Sequence, residues 1–442
     1  MVDSEEQHVT VSFVSLGCPK NLVDSEKMLA RLAEGGCVVG APMDDADVIV
    51  INTCGFLADA RDEAMGVISE ALEHKAAGHA GRVVVAGCLA QRNGEELFDQ
   101  APGIDAIVGV NDREAILQAV TGQSRSQVNP CTHRIGSDAG RFRLTPKHVA
   151  YLRVAEGCSH PCTFCTIPAI RGPFRSKLAA DVLGEAAELI ADGAIELSVI
   201  AQDTTSYGSD LDEIDLVGLL KQLDSIEGAT WIRLMYTYPR RFTNELVRTI
   251  DQCDHVVPYV DMPLQHISDG VLKRMGRKVR RERIEELLRE LREANVTIRT
   301  TFIVGFPGET QAEFDELLEF IKEFEFDAMG VFAYSPEPGT SAADMPDQVP
   351  DEIKAERVAA MMAAQQEIVF AANQDAIGQL VDVLIDGVDE HGRCIGRHAG
   401  QAPEIDSLCI LTEPRPAGQI LTVEVVGSEG YDLIVQPQSD GQ

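Results

Sequence analysis

The sequence predicts an α/β protein with a doubly wound N-terminal domain, a partial barrel of six strand–helix units, and a small all-β barrel at the end of the chain. Its 442 residues suggest about three domains at roughly 150 residues each. Two long stretches alternate β-branched runs with helix-like segments, and the last stretch has short strands between Asp-, Gly- and Pro-rich turns. The predicted domains are residues 8–120, 144–373 and 376–442.

Composition narrows the class of protein. Hydrophobic residues make up 45% and charged residues 25%, the balance of a globular protein, which excludes a disordered chain. No stretch approaches the ~18 consecutive apolar residues of a membrane helix. Residues Met1–Glu6 are too polar for a secretory signal peptide. We therefore expect a cytoplasmic protein without a membrane partner.

The first domain alternates strands and helices as a doubly wound fold does. The predicted strands are Val9–Leu16, Val48–Asn52 and Val83–Ala86. These short β-branched runs lack polar alternation, which is typical of buried parallel strands. Helices predicted over Ser25–Ala33 and Asp59–Glu73 separate them. The polar segment 121–146 has no apolar period and is interpreted as a linker.

The second domain resumes this alternation. Its predicted strands are Tyr151–Ala155, Leu197–Ala201, Ile232–Tyr236, Tyr259–Pro263, Thr297–Val304 and Ala328–Tyr334, and its helices include Leu178–Ala191 and Arg283–Ala294. Six units are too few for a closed eight-stranded barrel, so we expect an open one with its function at the C-terminal strand ends. The tail strands, predicted at Val381–Ile385, Cys409–Leu411 and Ile420–Val426, fit a small barrel of oligonucleotide-binding size.

The chain has 11 cysteines, and this odd number without an export signal argues against a disulfide framework. Five of them have no useful spacing and are interpreted as small packing residues: Cys37, Cys131, Cys253, Cys394 and Cys409. The other six form two sets of three. In a reduced compartment, clustered cysteines are more often metal ligands than parts of disulfides.

Cys158, Cys162 and Cys165 form the first set, directly after the first strand of the second domain. Their spacing lets three thiolates wrap one face of a metal cluster without a local fourth ligand. In a cubane 4Fe–4S cluster, one iron would stay open to a substrate or cofactor. A zinc loop is the alternative, although zinc sites usually have paired Cys-x-x-Cys elements and four protein ligands.

Cys18, Cys54 and Cys88 form the second set, and each lies just past a predicted strand of the first domain. Parallel strands bring their C-terminal ends to one edge of a sheet, where open α/β folds bind ligands. Three thiols that are distant in sequence can therefore converge on a second cluster with an open iron. The alternative is three buried cysteines in coincidental positions.

The spacing of Cys158, Cys162 and Cys165 is that of the radical S-adenosylmethionine superfamily. With the second cysteine set and the small β-barrel tail, the whole chain resembles the methylthiotransferases, which have a cluster domain, a radical S-adenosylmethionine domain and a TRAM domain. Residues 15–26 look like the branch that modifies a ribosomal-protein aspartate, because the tRNA-modifying branch usually has Gln and Met in place of Pro19 and Lys20. The other matching stretches are Ile200–Asp203, Pro263–His266, Gly305–Thr310 and Tyr334–Thr340.

This resemblance implies two 4Fe–4S clusters and S-adenosylmethionine as cofactors. The cluster on Cys158, Cys162 and Cys165 would produce a 5′-deoxyadenosyl radical, and the auxiliary cluster on Cys18, Cys54 and Cys88 would carry the sulfur. One S-adenosylmethionine would methylate that sulfur, and a second would generate the radical that removes the substrate hydrogen. No catalytic residue beyond the six cluster ligands is expected.

The implied product carries a methylthio group on the β-carbon of one aspartate of small-subunit ribosomal protein twelve. That protein, free or in the ribosomal subunit, is the expected partner, together with an electron donor and a sulfur donor. The alternatives are a tRNA adenosine methylthiotransferase and a non-catalytic, zinc-stapled RNA-binding protein.

Further cofactor contacts are predicted at two strand ends. Gln202 and Asp203 are placed for polar contact with S-adenosylmethionine, with a helix N-cap as the alternative for Asp203. The turn Gly305–Thr310 ends another predicted strand, and its glycines would let the backbone approach the adenosyl group. The predicted cofactor contacts in this turn are Gly305, Pro307, Gly308 and Glu309. His266 is interpreted as a satisfied loop histidine. Seven basic residues between Lys273 and Arg283 are interpreted as a solvated helix face rather than a contact with ribosomal RNA.

Charge favours a basic partner. Acidic residues outnumber basic ones 71 to 38, for a formal net charge of −33. A broad phosphate-binding surface would be basic, so no dedicated nucleic-acid partner is expected, and a basic ribosomal protein suits this field. From Asn373 to Gln442 there are twelve acidic and three basic residues, which supports the same choice. An acidic surface that serves only solubility is the alternative.

Overall fold

The computed structural model describes residues 8–437. Residues 1–6, on which the expectation of no signal peptide depends, and residues 438–442 of the third predicted domain lie outside the described residues. Within the described range, no helix combines the length and the apolar character needed to cross a membrane.

The first unit of the fold is a six-stranded parallel sheet. Its strands are β1 (Thr10–Ser15), β2 (Val38–Val39), β3 (Val48–Thr53), β4 (Arg82–Gly87), β5 (Ala106–Val108) and β6 (Ser126–Gln127), in the order β2-β1-β3-β4-β5-β6. Its helices are α1 (Pro19–Glu34), α2 (Ala58–Ala76), α3 (Cys88–Asn93), α4 (Glu96–Gln100) and α5 (Ile116–Val120). Apolar clusters cover both faces of this sheet, which confirms the predicted doubly wound fold.

Two predictions for this unit need correction. Helix α1 begins at Pro19 rather than Ser25, because proline fits the first helical position and Cys18 is the extended N-cap. The predicted linker 121–146 does connect the two units, but it also supplies the edge strand β6. In addition, its Asp138 is only 1% exposed. Most of the segment is exposed, but some of its polar side chains, such as Asp138 and Arg141, form buried ion pairs.

The second unit contains an open barrel of six parallel strands and a separate two-stranded hairpin. In chain order the eight strands of the unit are β7 (Val149–Arg153), β8 (Ala155–Glu156), β9 (Arg175–Ser176), β10 (Glu196–Ile200), β11 (Trp231–Leu234), β12 (Val256–Asp261), β13 (Thr297–Val304) and β14 (Ala328–Ala333). Strands β8 and β9 form a small separate hairpin, and the other six lie in the order β14-β13-β12-β11-β10-β7. This confirms the predicted partial barrel.

Helices cover the outside of this barrel and enclose the largest apolar core. They are α6 (Ile167–Arg171), α7 (Ala179–Ala191), α8 (Leu216–Asp224), α9 (Asn244–Gln252), α10 (Asp269–Arg274), α11 (Arg281–Glu293), α12 (Gln311–Phe324) and α13 (Asp351–Asp375). Helix α13 was not among the predicted elements. It packs beside β14 and α12, and its Met361 and Ala364 join the core.

The third unit is a closed five-stranded barrel. Its strands are β15 (Leu380–Val388), β16 (Cys394–His398), β17 (Cys409–Leu411), β18 (Ile420–Glu429) and β19 (Asp432–Pro437), in the order β15-β16-β17-β19-β18. The small all-β barrel is confirmed, and β16 and β19 are additional to the predicted strands. Buried ion pairs join it to the second unit: Arg397 contacts Glu196 at 2.7 Å, and Arg299 contacts Asp406 at 3.1 Å.

Candidate functional site

Three cysteines of the first unit lie at the C-terminal edge of its sheet. Cys18 precedes α1, Cys54 follows β3, and Cys88 begins α3 directly after β4. Strands β1, β3 and β4, which precede these cysteines in the chain, are parallel neighbours in the sheet. The three cysteines therefore converge at one edge of the sheet, as predicted. Close packing brings Cys18 and Cys54 together: a Cβ added at Gly17 would lie 2.9 Å from the Cβ of Cys54.

Glycine at positions 17 and 87 allows this approach. Both have positive φ, +90° and +91°, a conformation that residues with a side chain rarely adopt. A Cβ at Gly87 would lie 2.2 Å from Oδ1 of Asn52. These glycines therefore let the three cysteine-bearing loops contact one another.

Burial disfavours the thiolate form of two thiols in this first set, Cys54 and Cys88. Burial raises the pKa of Cys88 to about 12, and the nearby Arg171 guanidinium opposes that shift. Burial also raises the pKa of Cys54. A buried thiolate needs a compensating positive charge, so these side chains suit a cationic metal centre better than free thiolates.

Cys158, Cys162 and Cys165 lie on the loop between β8 and α6. The hairpin of β8 and β9 anchors its start, where the Cys158 N–H donates to the Gly172 carbonyl at 3.1 Å. Further on, the Thr163 N–H donates to the Met275 carbonyl at 3.0 Å. Burial raises the pKa of Cys158 to about 11 and that of Cys165 to about 12. This loop therefore holds a second set of three partly buried thiols.

The spacing of the thiols tests whether each set fits a cluster or a single ion. Among residues 8–437, only Asp44, His74 and His79 bring three ligand atoms within 4.8 Å of one another. In neither cysteine set do all three sulfur atoms lie within 4.8 Å of one another. A tetrahedral zinc site, with zinc–sulfur distances of about 2.3 Å, holds its sulfur atoms roughly 3.8 Å apart. The wider spacing fits the larger face of an iron–sulfur cluster.

Arg171 connects the two cysteine sets. It ends α6, which starts two positions after Cys165 and packs on α3, the helix that begins with Cys88. Its guanidinium is 1% exposed. It donates to Glu156 at 3.0 Å and to Asp24 at 3.1 Å, so a charged residue of the second unit is held against α1 of the first.

A buried ion network extends from Arg171 through the interface. Arg153, fully buried, contacts Asp24 at 2.6 Å, Asp138 at 2.8 Å and Glu156 at 3.0 Å. Burial alone would raise the pKa of Glu156, but the two arginines lower it to about 2. Glu156 therefore stays ionised, and the network of ion pairs holds the first unit, the linker and the barrel together.

We expect Arg153→Met to destabilise the protein by about 3 kcal/mol or more, because it leaves buried carboxylates without their cation. Arg289→Met is the matched control, since Arg289 is an exposed residue with one distant partner at 3.6 Å and should change stability by less than about 0.5 kcal/mol. Denaturant and thermal unfolding would measure both variants. Equal stability of the two would contradict this role for the network.

Gln202 and Asp203 lie after β10, where they were predicted. The Gln202 amide donates to Glu156 at 2.7 Å, and within the described chain its buried Oε1 has no hydrogen-bond partner. Asp203 accepts hydrogen bonds from Ser206 and Thr205, and its Oδ2 lies 2.5 Å from Nε2 of His160. His160 belongs to the cysteine loop, so Asp203 holds that loop, while Gln202 has a free acceptor.

The turn at 305–310 follows β13. A Cβ at Gly305 would lie 2.3 Å from Cγ of Lys354, so this glycine makes room for α13. Glu309 accepts from the Phe306 N–H at 3.0 Å and from Arg357 at 2.8 Å. The Phe306 ring contacts Phe164 of the cysteine loop, with centroids 6.3 Å apart. The turn therefore borders the loop, while the predicted cofactor contacts of Gly305, Pro307, Gly308 and Glu309 stay predictions.

Several residues of the site were not predicted. Tyr236 and Gln265 have positive φ, 57° and 73°, although neither is glycine, and both follow strands at the C-terminal end of the barrel. Such strain is concentrated at functional sites. The Gln265 Oε1 is buried without a partner among the described residues. Their position after barrel strands could have identified Tyr236 and Gln265 as candidate site residues from the sequence. Their positive φ could not be predicted from it.

His266 was interpreted as a satisfied loop histidine, which is correct for one nitrogen only. Its Nδ1 accepts the Ser268 N–H at 3.0 Å. Its Nε2 is buried and has no hydrogen-bond partner in residues 8–437. Burial lowers the pKa of His266 to about 3, so this imidazole is neutral.

Comparison with family models divides the chain into three matches. Residues 10–109 match uncharacterized protein family UPF0004, residues 152–321 match the radical SAM superfamily, and residues 377–437 match the TRAM domain. Each of the two larger matches contains one set of three cysteines.

Several named proteins are similar to this chain over nearly its whole length. "Ribosomal protein uS12 methylthiotransferase RimO" of Syntrophotalea carbinolica is 40% identical over 443 residues, covering 98% of this chain and 97% of that protein. The proteins of the same name from Geobacter sulfurreducens and an Anaeromyxobacter strain are 41% and 44% identical, covering 96% and 95% of this chain and 97% and 91% of theirs.

Among solved structures, the radical S-adenosylmethionine methyltransferase TsrM of Kitasatospora setae has a similar fold. Its TM-score is 0.55 at 14% identity, covering 74% of this chain and 73% of that one.

Proposed function

The chain belongs to the RimO family of radical S-adenosylmethionine methylthiotransferases, and from this membership we propose that it adds a methylthio group to the β-carbon of an aspartate of ribosomal protein uS12. The observation that carries the proposal is that two sets of three cysteines lie on the two sides of the interface between the first unit and the barrel. The chain is also 40–44% identical, over nearly its whole length, to proteins of that name. The reaction would take place in the cytoplasm.

Iron–sulfur clusters and S-adenosylmethionine belong to the chemistry of this family. We propose that Cys158, Cys162 and Cys165 bind one 4Fe–4S cluster and that a second is bound by Cys18, Cys54 and Cys88. When bound, these groups supply the radical that removes the substrate hydrogen and the methylated sulfur that replaces it.

The residues around the clusters would orient the cofactor and exclude water. The free Oε1 atoms of Gln202 and Gln265 are acceptors suited to the amino group of S-adenosylmethionine. Asp203 holds the cysteine loop through His160, and Arg171 offsets negative charge beside Cys88. The turn at 305–310 would present backbone groups to the adenosyl moiety.

The charge of the third unit favours a basic protein over RNA as the substrate. Each of its three arginines already has a carboxylate partner: Arg393 contacts Asp389 at 2.7 Å, Arg397 contacts Asp386 at 2.7 Å, and Arg415 contacts Glu413 at 2.9 Å. Most of the acidic side chains in this unit are exposed. Such a surface repels phosphates and attracts the lysines and arginines of a ribosomal protein.

A competition assay tests the proposed substrate. Purified uS12 and bulk tRNA would be offered together under anaerobic conditions with S-adenosylmethionine and a reductant, followed by mass spectrometry. A methylthio increment on one uS12 aspartate is the expected result. An increment on tRNA adenosine alone would mean that the acidic surface does not select the substrate, and no increment on either would reject the transferase.

Two further partners follow from the balance of the reaction. Cleavage of S-adenosylmethionine to a radical consumes one electron, so an electron donor is required. The methyl group of S-adenosylmethionine brings no sulfur, so a sulfur donor is required as well.

A basic surface supports docking of an acidic electron donor beside Cys158–Cys165. A cleft of about 950 Å³ is lined by Pro161 of the cysteine loop and by the basic segment 273–283. Lys273, Lys278 and Arg280 are exposed, and none has a carboxylate within 4 Å in the part of the chain that the structure describes. In a chain of net charge −33, this basic surface borders the cysteine loop at Pro161.

We expect Lys278→Glu/Arg280→Glu to slow reduction by a small acidic flavoprotein by roughly tenfold at low salt, because charge steering is lost. Reduction by dithionite, a small anion that needs no docking, should change far less. The matched control, Arg248→Glu/Lys322→Glu, reverses two exposed cations on α9 and α12. Stopped-flow absorbance would measure the rates and native electrophoresis the complex. Equal slowing in both double variants would contradict docking at this cleft.

A further inference from the structure

Among the described residues, Lys20 is a buried lysine without a carboxylate partner. It lies in the first turn of α1, two residues after Cys18, and is only 7% exposed. Its Nζ lies 3.0 Å from the centre of the Tyr236 ring. Across residues 8–437, no carboxylate lies within 4 Å of this ammonium. Burying an unpaired charge is costly, so the position is suited to an anion that arrives from outside the chain.

The nearby acidic groups already have partners. Asp261 contacts Arg299 at 2.9 Å and accepts the Tyr236 N–H at 3.2 Å. Glu156 is bound by Arg153 and Arg171. The remaining charged neighbours of Lys20 are Arg171, which is a cation, and the thiol of Cys18. Within the described chain, Lys20 therefore has no carboxylate partner of its own, and its only acidic neighbour outside these pairs is Cys18, a proposed cluster ligand.

The aromatic partner of Lys20 is held rigidly. Tyr236 follows β11 at the C-terminal end of the barrel and has φ +57°, a strained conformation for a bulky residue. Two hydrogen bonds fix its backbone: its N–H donates to Asp261, and its carbonyl accepts the Thr204 N–H at 2.9 Å. The ring therefore holds the ammonium at the mouth of the barrel, beside the first cysteine set and without using its charge in an ion pair.

We propose that Lys20 binds the side-chain carboxylate of the substrate aspartate and so places its β-carbon next to the Cys18, Cys54 and Cys88 set. This inference rests on the proposed function. The carboxylate is bonded directly to the β-carbon that reacts and is unchanged in the product, so Lys20 would orient the substrate without taking part in a covalent step. A neutral asparagine at the same place would lose the ion pair and leave Lys20 unpaired.

A double-mutant cycle on the cluster-loaded protein tests the pairing. Two uS12 peptides, with aspartate or asparagine at the modified position, would be titrated against the wild type and Lys20→Met, which keeps an unbranched side chain of similar length. We expect the wild type to bind the aspartate peptide at least about tenfold more tightly and Lys20→Met to bind both peptides equally. Lys20→Arg should restore part of the preference.

Lys27→Met is the matched control, because Lys27 lies on the same helix and donates to the Ala139 carbonyl. It should keep the full preference for aspartate. An undiminished preference in Lys20→Met would overturn the role of Lys20 while leaving the proposed function intact. Failure of the wild type to modify the aspartate peptide or intact uS12 would overturn the proposed function and this inference with it. If Lys20→Met does not fold, Lys20→Gln, a neutral polar side chain of similar length, is titrated against the same two peptides and should likewise lose the preference for aspartate.

Discussion

Replacing Cys162 with alanine is expected to abolish formation of 5′-deoxyadenosine and of the methylthio product. The loop gives its proposed cluster only three thiolates, so losing one removes a third of the protein ligands at a site without a replacement. Iron content should fall to about half, because Cys18, Cys54 and Cys88 lie on other elements and are unaffected. Anaerobic incubation with S-adenosylmethionine, followed by chromatography of the nucleoside, measures the first effect.

Cys253→Ala is the control for that variant. Cys253 is a half-buried cysteine that follows α9, outside both sets, so its loss should leave deoxyadenosine formation near the wild-type level. Continued deoxyadenosine formation in Cys162→Ala would count decisively against the assignment of the radical site to Cys158, Cys162 and Cys165.

The second large effect is expected from Cys54→Ala, and it has a different signature. Deoxyadenosine should still form, because the loop of the other cysteine set is intact, but no methylthio product should appear. This split between radical formation and sulfur transfer follows from placing the two sets on separate elements, β3 of the first unit and the loop after β8. Mass spectrometry of uS12 and nucleoside analysis on the same sample would measure both. Full product formation in Cys54→Ala would refute the sulfur-carrying role of the first set.

Much of the fold could be predicted from local pattern. Buried parallel strands have short β-branched runs, so β3 and β4 were placed within one residue of their observed bounds. The convergence of Cys18, Cys54 and Cys88 followed from the same pattern, because parallel strands end at one edge of a sheet. Four of the five cysteines interpreted as packing residues are indeed buried, and Cys253 is partly buried.

The rest depended on interactions between distant residues. The linker was predicted from its polar composition, yet its Asp138 is buried against Arg153 and Lys177 at 2.8 and 2.6 Å, and no local pattern encodes such partners. Lys20 appeared only as a mark of family resemblance; its isolation became visible when Tyr236 was brought over its ammonium. The positive φ of Tyr236 and Gln265 was equally hidden, because neither residue type favours that conformation.

The central claim is that the two cysteine sets bind two iron–sulfur clusters. The metal content of the anaerobically purified wild-type protein tests this claim most directly. Iron and acid-labile sulfide would be measured per chain, together with zinc and the Mössbauer spectrum. We predict about eight iron and eight sulfide per chain, in the form of two 4Fe–4S clusters, with negligible zinc. About four iron per chain after full reconstitution, or one zinc in place of a cluster, would contradict the assignment.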